Sequence, residues 1–239
     1  MVLESQRDRS GPMIERTAKR FAGWRPDTLT WISFVFAVLA MLLLLAARRW
    51  GPIILVDPPP TEPLWMLMFG AAACVFLNGV FDVLDGAVAR LRGTASKRGD
   101  LLDHVVDRYA DVILLLGFIF SAYGNLVLGL FAMTGVLLTS YMGTQAQALG
   151  GKRKYAGWLT RADRILVMTL VAGVQPILLW LMNEKPLVPA GWLGLSWIPD
   201  LHLFGLMLLG FAVVGNLAAV ARARATWKEL QESESSKGG

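Results

Sequence analysis

Apolar residues fall into six long blocks separated by short polar stretches, over about 26–47, 64–92, 100–123, 126–148, 162–182 and 201–223. Each block has the length of a helix that crosses a bilayer. Polar punctuation sets their limits. Pro26 and Asp27 give a helix start. Asp57-Pro58-Pro59-Pro60 cannot be helical and reads as an exposed loop, and 93–99 is a polar loop carrying Lys97 and Arg98. Ahead of the first block, Ile14, Ala18 and Phe21 recur at helical spacing among Arg7, Arg9, Arg16, Lys19 and Arg20. This pattern predicts an amphipathic helix lying on an anionic membrane face. The expected fold is therefore an all-α integral membrane protein. Residues 1–25 form a cytoplasmic interfacial helix, 26–226 a domain of six transmembrane helices, and 227–239 a polar, disordered tail.

Composition supports one polytopic domain over two soluble ones: 239 residues are 55% hydrophobic, with mean hydropathy +0.51. The net charge of +5 matters less than where the charges lie. Basic residues crowd the N-terminal segment, the 90–98 and 152–164 loops, and Arg222, Arg224 and Lys228. The opposite loops hold Arg48, Arg49 and Lys185. The positive-inside rule then places both termini, the 90–98 loop and the 152–164 loop in the cytoplasm. Trp24, Trp65, Trp158 and Trp197 near block ends suit interfacial belts. The first apolar run begins too late for a cleavable signal sequence. The single cysteine, Cys74, lies in an apolar run, which leaves no disulfide and no thiolate metal site. His104 adjoins Asp103, but neighbouring helix positions face roughly 100° apart, so a packing role is expected. No nucleic-acid partner is expected.

The chemistry concentrates between Asp82 and Asp107. Asp82-Val-Leu-Asp85-Gly86-Ala-Val-Ala89-Arg90 is followed, after eight residues, by Gly99-Asp-Leu-Leu-Asp103-His-Val-Val-Asp107. Asp82 and Asp85 share one helix face, as do Asp103 and Asp107. Four carboxylates at or near lipid depth are costly, and a chain that keeps them together is using them. Oxygen-only ligands favour a hard ion, most simply Mg²⁺ and in this number two, and a two-metal carboxylate site suits in-line displacement at phosphorus. The competing reading is a set of buried ion pairs with Arg90 and Arg108. Two bases cannot satisfy four acids plus Asp111.

The spacing D-x-x-D-G-x-x-A-R-x8-G-x3-D-x3-D resembles the signature of the CDP-alcohol phosphotransferases, integral membrane enzymes of phospholipid synthesis. The likeness runs from about Asp27 to Arg164. It implies transfer of a lipid-phosphate from a CDP-lipid to an acceptor hydroxyl with release of CMP. It assigns Asp82, Asp85, Asp103 and Asp107 to Mg²⁺, with Mn²⁺ as the alternative ion, and makes Asp107 the base that takes the acceptor proton. It assigns Gly86, Arg90 and Ser96, with the Asp27-Thr28-Leu29-Thr30 segment, to the CDP-lipid. It also implies a homodimer with its seam on the third or fourth membrane helix. Read alone, Gly86 and Ala89 are packing positions, and Asp111 is a structural partner of Arg108 or of a neighbouring helix.

The acceptor is read from the basic stretch Lys152-Arg153-Lys154 and from Arg161 and Arg164, which share a helix face. These suit a phosphate-bearing polyol, with Arg153, Arg161 and Arg164 on the phosphate. Family members that use inositol phosphate are similar at Arg161 and Arg164. They also carry a Lys-x-Arg pair after a Ser-Tyr, where this chain has Gly143 and Gln145 following Ser140-Tyr141. That departure tilts the expectation to glycerol phosphate over inositol phosphate. The donor lipid is diacyl or archaeal diether. Alternatives are a neutral acceptor such as serine or inositol, a cation transporter or channel, and a non-catalytic lipid-binding scaffold.

Overall fold

A computed structural model describes residues 12–47, 65–150, 159–192, 194 and 200–237. The proline loop at 57–60, Arg153, Trp158 and Trp197 lie outside the described residues. The described chain is helical: α1 over residues 12–20, α2 Pro26–Ala46, α3 Trp65–Leu91, α4 Lys97–Ile119, α5 Leu126–Ala148, α6 Arg161–Leu181 and α7 Leu203–Lys237. An isolated bridge between Val188 and Leu201 ties the segment after α6 to the start of α7.

Five helices, α2, α3, α5, α6 and α7, are long and apolar enough to cross a membrane. Their outward faces carry large exposed apolar side chains, among them Leu39, Phe76, Phe131, Leu170 and Leu217. In water such a surface would aggregate; against lipid tails it is satisfied. The chain is thus a multi-pass membrane protein. The expected third span, α4, is not among the five, because Lys97, Arg98, Asp100, Asp103, Asp107, Arg108 and Asp111 fall within it. These charges lie in its first half, whereas its second half, residues 112–119, is apolar throughout.

The core forms where the helices meet. Phe118 of α4 meets Phe204 of α7 edge-on at 4.9 Å, within a cluster that includes Leu44, Met68, Leu114, Met168 and Leu208. With no hydrophobic drive between helices in lipid, close contact rests on small residues and interhelical hydrogen bonds. A Cβ on Gly117 would come within 2.9 Å of the Met41 backbone, and one on Gly135 within 2.8 Å of Asn216 N. Asn78, fully buried on α3, donates to Ser33 O and Ser33 Oγ on α2, both at 2.9 Å, and Ser33 Oγ returns a bond to Asn78 O at 3.0 Å. A second, smaller cluster joins Ala18 of α1 to Leu29, Leu84, Ala87 and Val88. It fixes α1 against the start of α2 and the end of α3, with Arg16, Lys19 and Arg20 exposed.

The tail departs from expectation. Where a disordered segment was predicted from 227, α7 runs on to Lys237. The stretch Trp227–Glu234 is rich in strong helix formers, and Lys228 and Glu232 pair at 3.8 Å one turn apart. Polarity had suggested disorder, but helix propensity with an existing helix to extend prevails.

Gly135→Ala is expected to destabilise the bundle by about 1–3 kcal/mol through overpacking of α5 on α7. Gly210→Ala, on a helix face with nothing within 4 Å of the added carbon, is expected to be neutral or stabilising. Thermal unfolding in detergent separates the two.

Candidate active site

Four helix termini converge at one end of the bundle: the starts of α2, α4 and α6 and the end of α3. Local sequence fixes each entry. Ser96 caps α4, its Oγ accepting from Gly99 N at 3.1 Å. Thr160 and Asp163 form a capping box on α6, with Asp163 Oδ2 accepting from Thr160 N at 2.8 Å and Thr160 Oγ1 accepting from Asp163 N. Leu159, just before it, takes φ +66°. This entry turns Arg161 and Arg164 of α6 towards the acidic faces of α3 and α4.

Asp82, Asp85 and Asp103 gather, with carboxylate oxygens within 4.8 Å of one another. Asp85 is buried and accepts from Thr30 Oγ1 at 2.6 Å. Asp103 Oδ1 is buried and accepts no hydrogen bond among the described residues. A cluster of carboxylates with an unsatisfied oxygen fits a hard divalent cation, and a neutral or basic set of donors would not. Asp107, the fourth expected ligand, is not in this group. It faces Arg161, which pairs with both Asp82 and Asp107. One turn deeper, Asp111 is 1% exposed and draws three arginines: Arg164 at 2.6 Å, Arg108 at 2.9 Å and Arg161 at 3.8 Å. Arg108 also lies 3.8 Å from Asp107 and donates to Ser140 Oγ of α5.

The bases that meet these acids are thus more numerous than the local sequence suggests. Arg161 and Arg164 are 50 to 79 positions away from the carboxylates they meet, a separation no local pattern reveals. The expectation that Asp111 pairs with Arg108 holds, with Arg164 as the closer partner. Arg164 is buried by that pair and by a 3.1 Å bond to Leu159 O. Of the three arginines expected on an acceptor phosphate, Arg161 and Arg164 come together and Arg153 lies outside the described residues.

A cleft of about 800 Å³ opens over the cluster. Asp85 and Asp103 form part of its lining, and Asp27, Thr30, Gly86, Ala89, Arg90 and Ser96 join them. Thr28 is exposed and Leu29 fully buried in the α1 contact, so neither side chain lines it. A Cβ on Gly86 would stand 3.3 Å from Arg90 Nη1, so the absent side chain leaves the guanidinium its place. Arg25, Arg92 and Arg98 line the same cleft and were not singled out from the sequence, where they merge with the general basic bias of that side. Arg92 also donates to Trp24 O. An acidic floor under a wall of guanidinium groups suits an anionic ligand bridged to a cation.

On the far side of α5, Arg222 of α7 donates to Thr139 O at 2.8 Å. Its guanidinium lies 3.6 Å from where a Gly143 side chain would start. The glycine thus admits a basic group from another helix.

An apolar bundle with a carboxylate cluster beneath a basic cleft at one end is the architecture of a membrane-embedded, cation-assisted transferase. The chain belongs to the CDP-alcohol phosphatidyltransferase family, whose model matches residues 24–198. It is similar to the archaetidylinositol phosphate synthase of Methanothermobacter thermautotrophicus, 31% identical over 67% of this chain and 71% of that one. It also matches the phosphatidylinositol phosphate synthase of Mycobacteroides abscessus, 32% identical over 62% of this chain and 61% of that one. The chain therefore spans roughly three-fifths to seven-tenths of these relatives. Crystal structures of the Mycobacterium tuberculosis phosphatidylinositol phosphate synthase share the fold. The form with CDP-DAG bound superposes with a TM-score of 0.64 at 21% identity, over 90% of this chain and 94% of that one. The form with manganese and citrate gives 0.63 at 22% identity, over 90% and 88%.

Asp103→Asn is expected to remove most Mn²⁺ binding, read by titration calorimetry in detergent, while the unfolding temperature without metal stays at or above the wild-type value. The loss of one repelling charge from the cluster offsets any lost contact.

Proposed function

We propose that the protein transfers a lipid-phosphate from a CDP-lipid to the hydroxyl of a phosphorylated polyol, releasing CMP. The observation that carries this reading is the union, at one bundle end, of the Asp82–Asp85–Asp103 cluster, the basic cleft and the inward-turned Arg161 and Arg164. Mg²⁺ or Mn²⁺ held by Asp82, Asp85 and Asp103, with Asp107 completing a second site, supplies charge neutralisation for the pyrophosphate and the leaving CMP. Gly86, Arg90, Ser96, Asp27 and Thr30 bind the donor nucleotide and its phosphates. Thr28 and Leu29 belong to the same α2 entry, where the Thr28 amide donates to Arg25 O and Leu29 packs on α1, and so place Asp27 and Thr30 for the donor. Asp107 accepts the acceptor hydroxyl's proton as that oxygen bonds to the lipid-phosphate phosphorus and the bond to CMP breaks. Arg161 and Arg164, with Arg153 from the preceding loop, hold the acceptor's own phosphate.

Inositol phosphate is the acceptor we favour, in place of the glycerol phosphate that the sequence suggested. The two named relatives are an archaetidylinositol phosphate synthase and a phosphatidylinositol phosphate synthase, both named for an inositol phosphate lipid. The donor is a CDP-diacylglycerol or CDP-archaeol, two lipids with the same headgroup. We further infer that α4 is a sixth span. Lys97, Arg98 and Asp100 are exposed at its start, Asp107, Arg108 and Asp111 are paired with one another and with α6, and its apolar second half lies in the core, a case in which internal pairing rather than composition permits membrane depth. Six spans put the site and both termini on one side, which the basic loops assign to the cytoplasm, with residues 1–25 on the membrane surface. Residues 26–226 form the catalytic domain, and two copies form a homodimer. Membership of a transferase family decides against the cation-transporter reading.

Arg161→Ala is expected to raise the apparent KM for inositol phosphate by about tenfold and leave that for the CDP-lipid nearly unchanged, since a charge-assisted contact is worth roughly 1.5–3 kcal/mol. The assay is CMP release with inositol phosphate, glycerol phosphate, inositol and serine as acceptors. Faster turnover with inositol or serine in the wild type would assign a neutral acceptor. CDP-lipid binding that needs no divalent ion, with no CMP released by any acceptor, would assign a scaffold.

A further inference from the structure

Arg161 occupies an unusual place for a residue that serves only an incoming anion. Its side chain is 14% exposed, and its guanidinium bridges Asp82 of α3 and Asp107 of α4. Asp82 belongs at the same time to the three-carboxylate group that suits a divalent ion. A dication at that group and a guanidinium on the same carboxylate are like charges a few ångström apart in a poorly solvated setting, and they oppose one another strongly. An alternative partner stands ready. Asp111 Oδ1 is buried and accepts no hydrogen bond, and Arg161 Nε, which donates none, is 3.8 Å from it.

We propose that Arg161 is the resident counter-cation of the acidic site, bridging Asp82 and Asp107 until a divalent ion enters and then displaced towards Asp111. This rests on the reading of Asp82, Asp85 and Asp103 as cation ligands. Without the ion, the guanidinium neutralises two carboxylates from different helices and keeps α3 and α4 together. With the ion, it joins Arg164 and Arg108 around Asp111, so three guanidinium groups share one carboxylate and that part of the site carries a net positive charge. Cation loading thereby prepares the place for an anionic acceptor, and acceptor phosphate cannot be held firmly before the cation is in. The order of events follows from charge alone.

The test is Mn²⁺ binding to the full chain in detergent, by calorimetry and by loss of the free-ion electron paramagnetic resonance signal, with no substrate present. Arg161→Gln keeps a polar side chain and removes the competitor, and it is expected to bind Mn²⁺ about tenfold more tightly than wild type. Arg161→Lys keeps the charge but cannot bridge two carboxylates, and it is expected to fall between the two. Tightening in the lysine variant separates displacement from a simple field effect, which would leave lysine equal to wild type. Lysine also preserves a counter-charge for folding should the glutamine variant not be recovered. Unchanged or weaker Mn²⁺ affinity in Arg161→Lys, with wild type binding the ion, overturns the displacement and leaves the cation centre standing. Absence of Mn²⁺ binding in every form, wild type included, overturns both.

Discussion

Five carboxylates on two neighbouring helices have to be neutralised at one end of an apolar bundle, and the arrangement of that end follows from this. Asp82 and Asp85 come from α3, and Asp103, Asp107 and Asp111 from α4. Leaving such charges unpaired near lipid costs several kcal/mol each. The protein answers in layers. Asp111, deepest, is met by Arg164 and Arg108. Asp82 and Asp107 are met by Arg161. Asp85 takes the Thr30 hydroxyl, and Asp103 keeps an oxygen with no hydrogen-bond partner among the described residues. The deepest acid is thus neutralised by the protein's own bases, while Asp82, Asp85 and Asp103 form a carboxylate group whose oxygens suit a divalent cation.

The rest of the fold serves this end. The α2–α3 staple of Asn78 and Ser33 holds the helix that carries Thr30 against the helix that carries Asp85. The α1 contact through Ala18 and Leu29 pins the same two helices at their site-proximal ends. The α6 capping box aims Arg161 and Arg164. The α5–α7 contact through Gly135, Thr139 and Asn216 is remote from the acids, yet it brings Ser140 to Arg108 and Arg222 to Gly143.

Much of this was legible from the order of residues. Periodicity places α5 over the same residues, 126–148, and α3 and α6 within a residue or so of the ends observed. The i, i+3 and i, i+4 spacing of the aspartates anticipates that they share faces, and Asp82, Asp85 and Asp103 do converge. What local reading could not supply is pairing across helices. It counted two bases for five acids because Arg161 and Arg164 lie far along the chain. It could not show that an arginine from α6 stands before Asp107, because that partner lies 54 positions along the chain. It took the polar stretch after 227 for disorder because hydrophobicity, and not helix propensity, was the measure.

The claim on which this account depends is that the carboxylates of α3 and α4 form a divalent-cation centre. The most direct measurement is anomalous diffraction from crystals of the protein soaked in Mn²⁺ without substrate. The account predicts a manganese peak at coordination distance, about 2.0–2.3 Å, from carboxylate oxygens of Asp82, Asp85 and Asp103, with Arg161 moved off Asp82. A manganese peak bound elsewhere, or none at saturating Mn²⁺ with Arg161 still bridging Asp82 and Asp107, would contradict it.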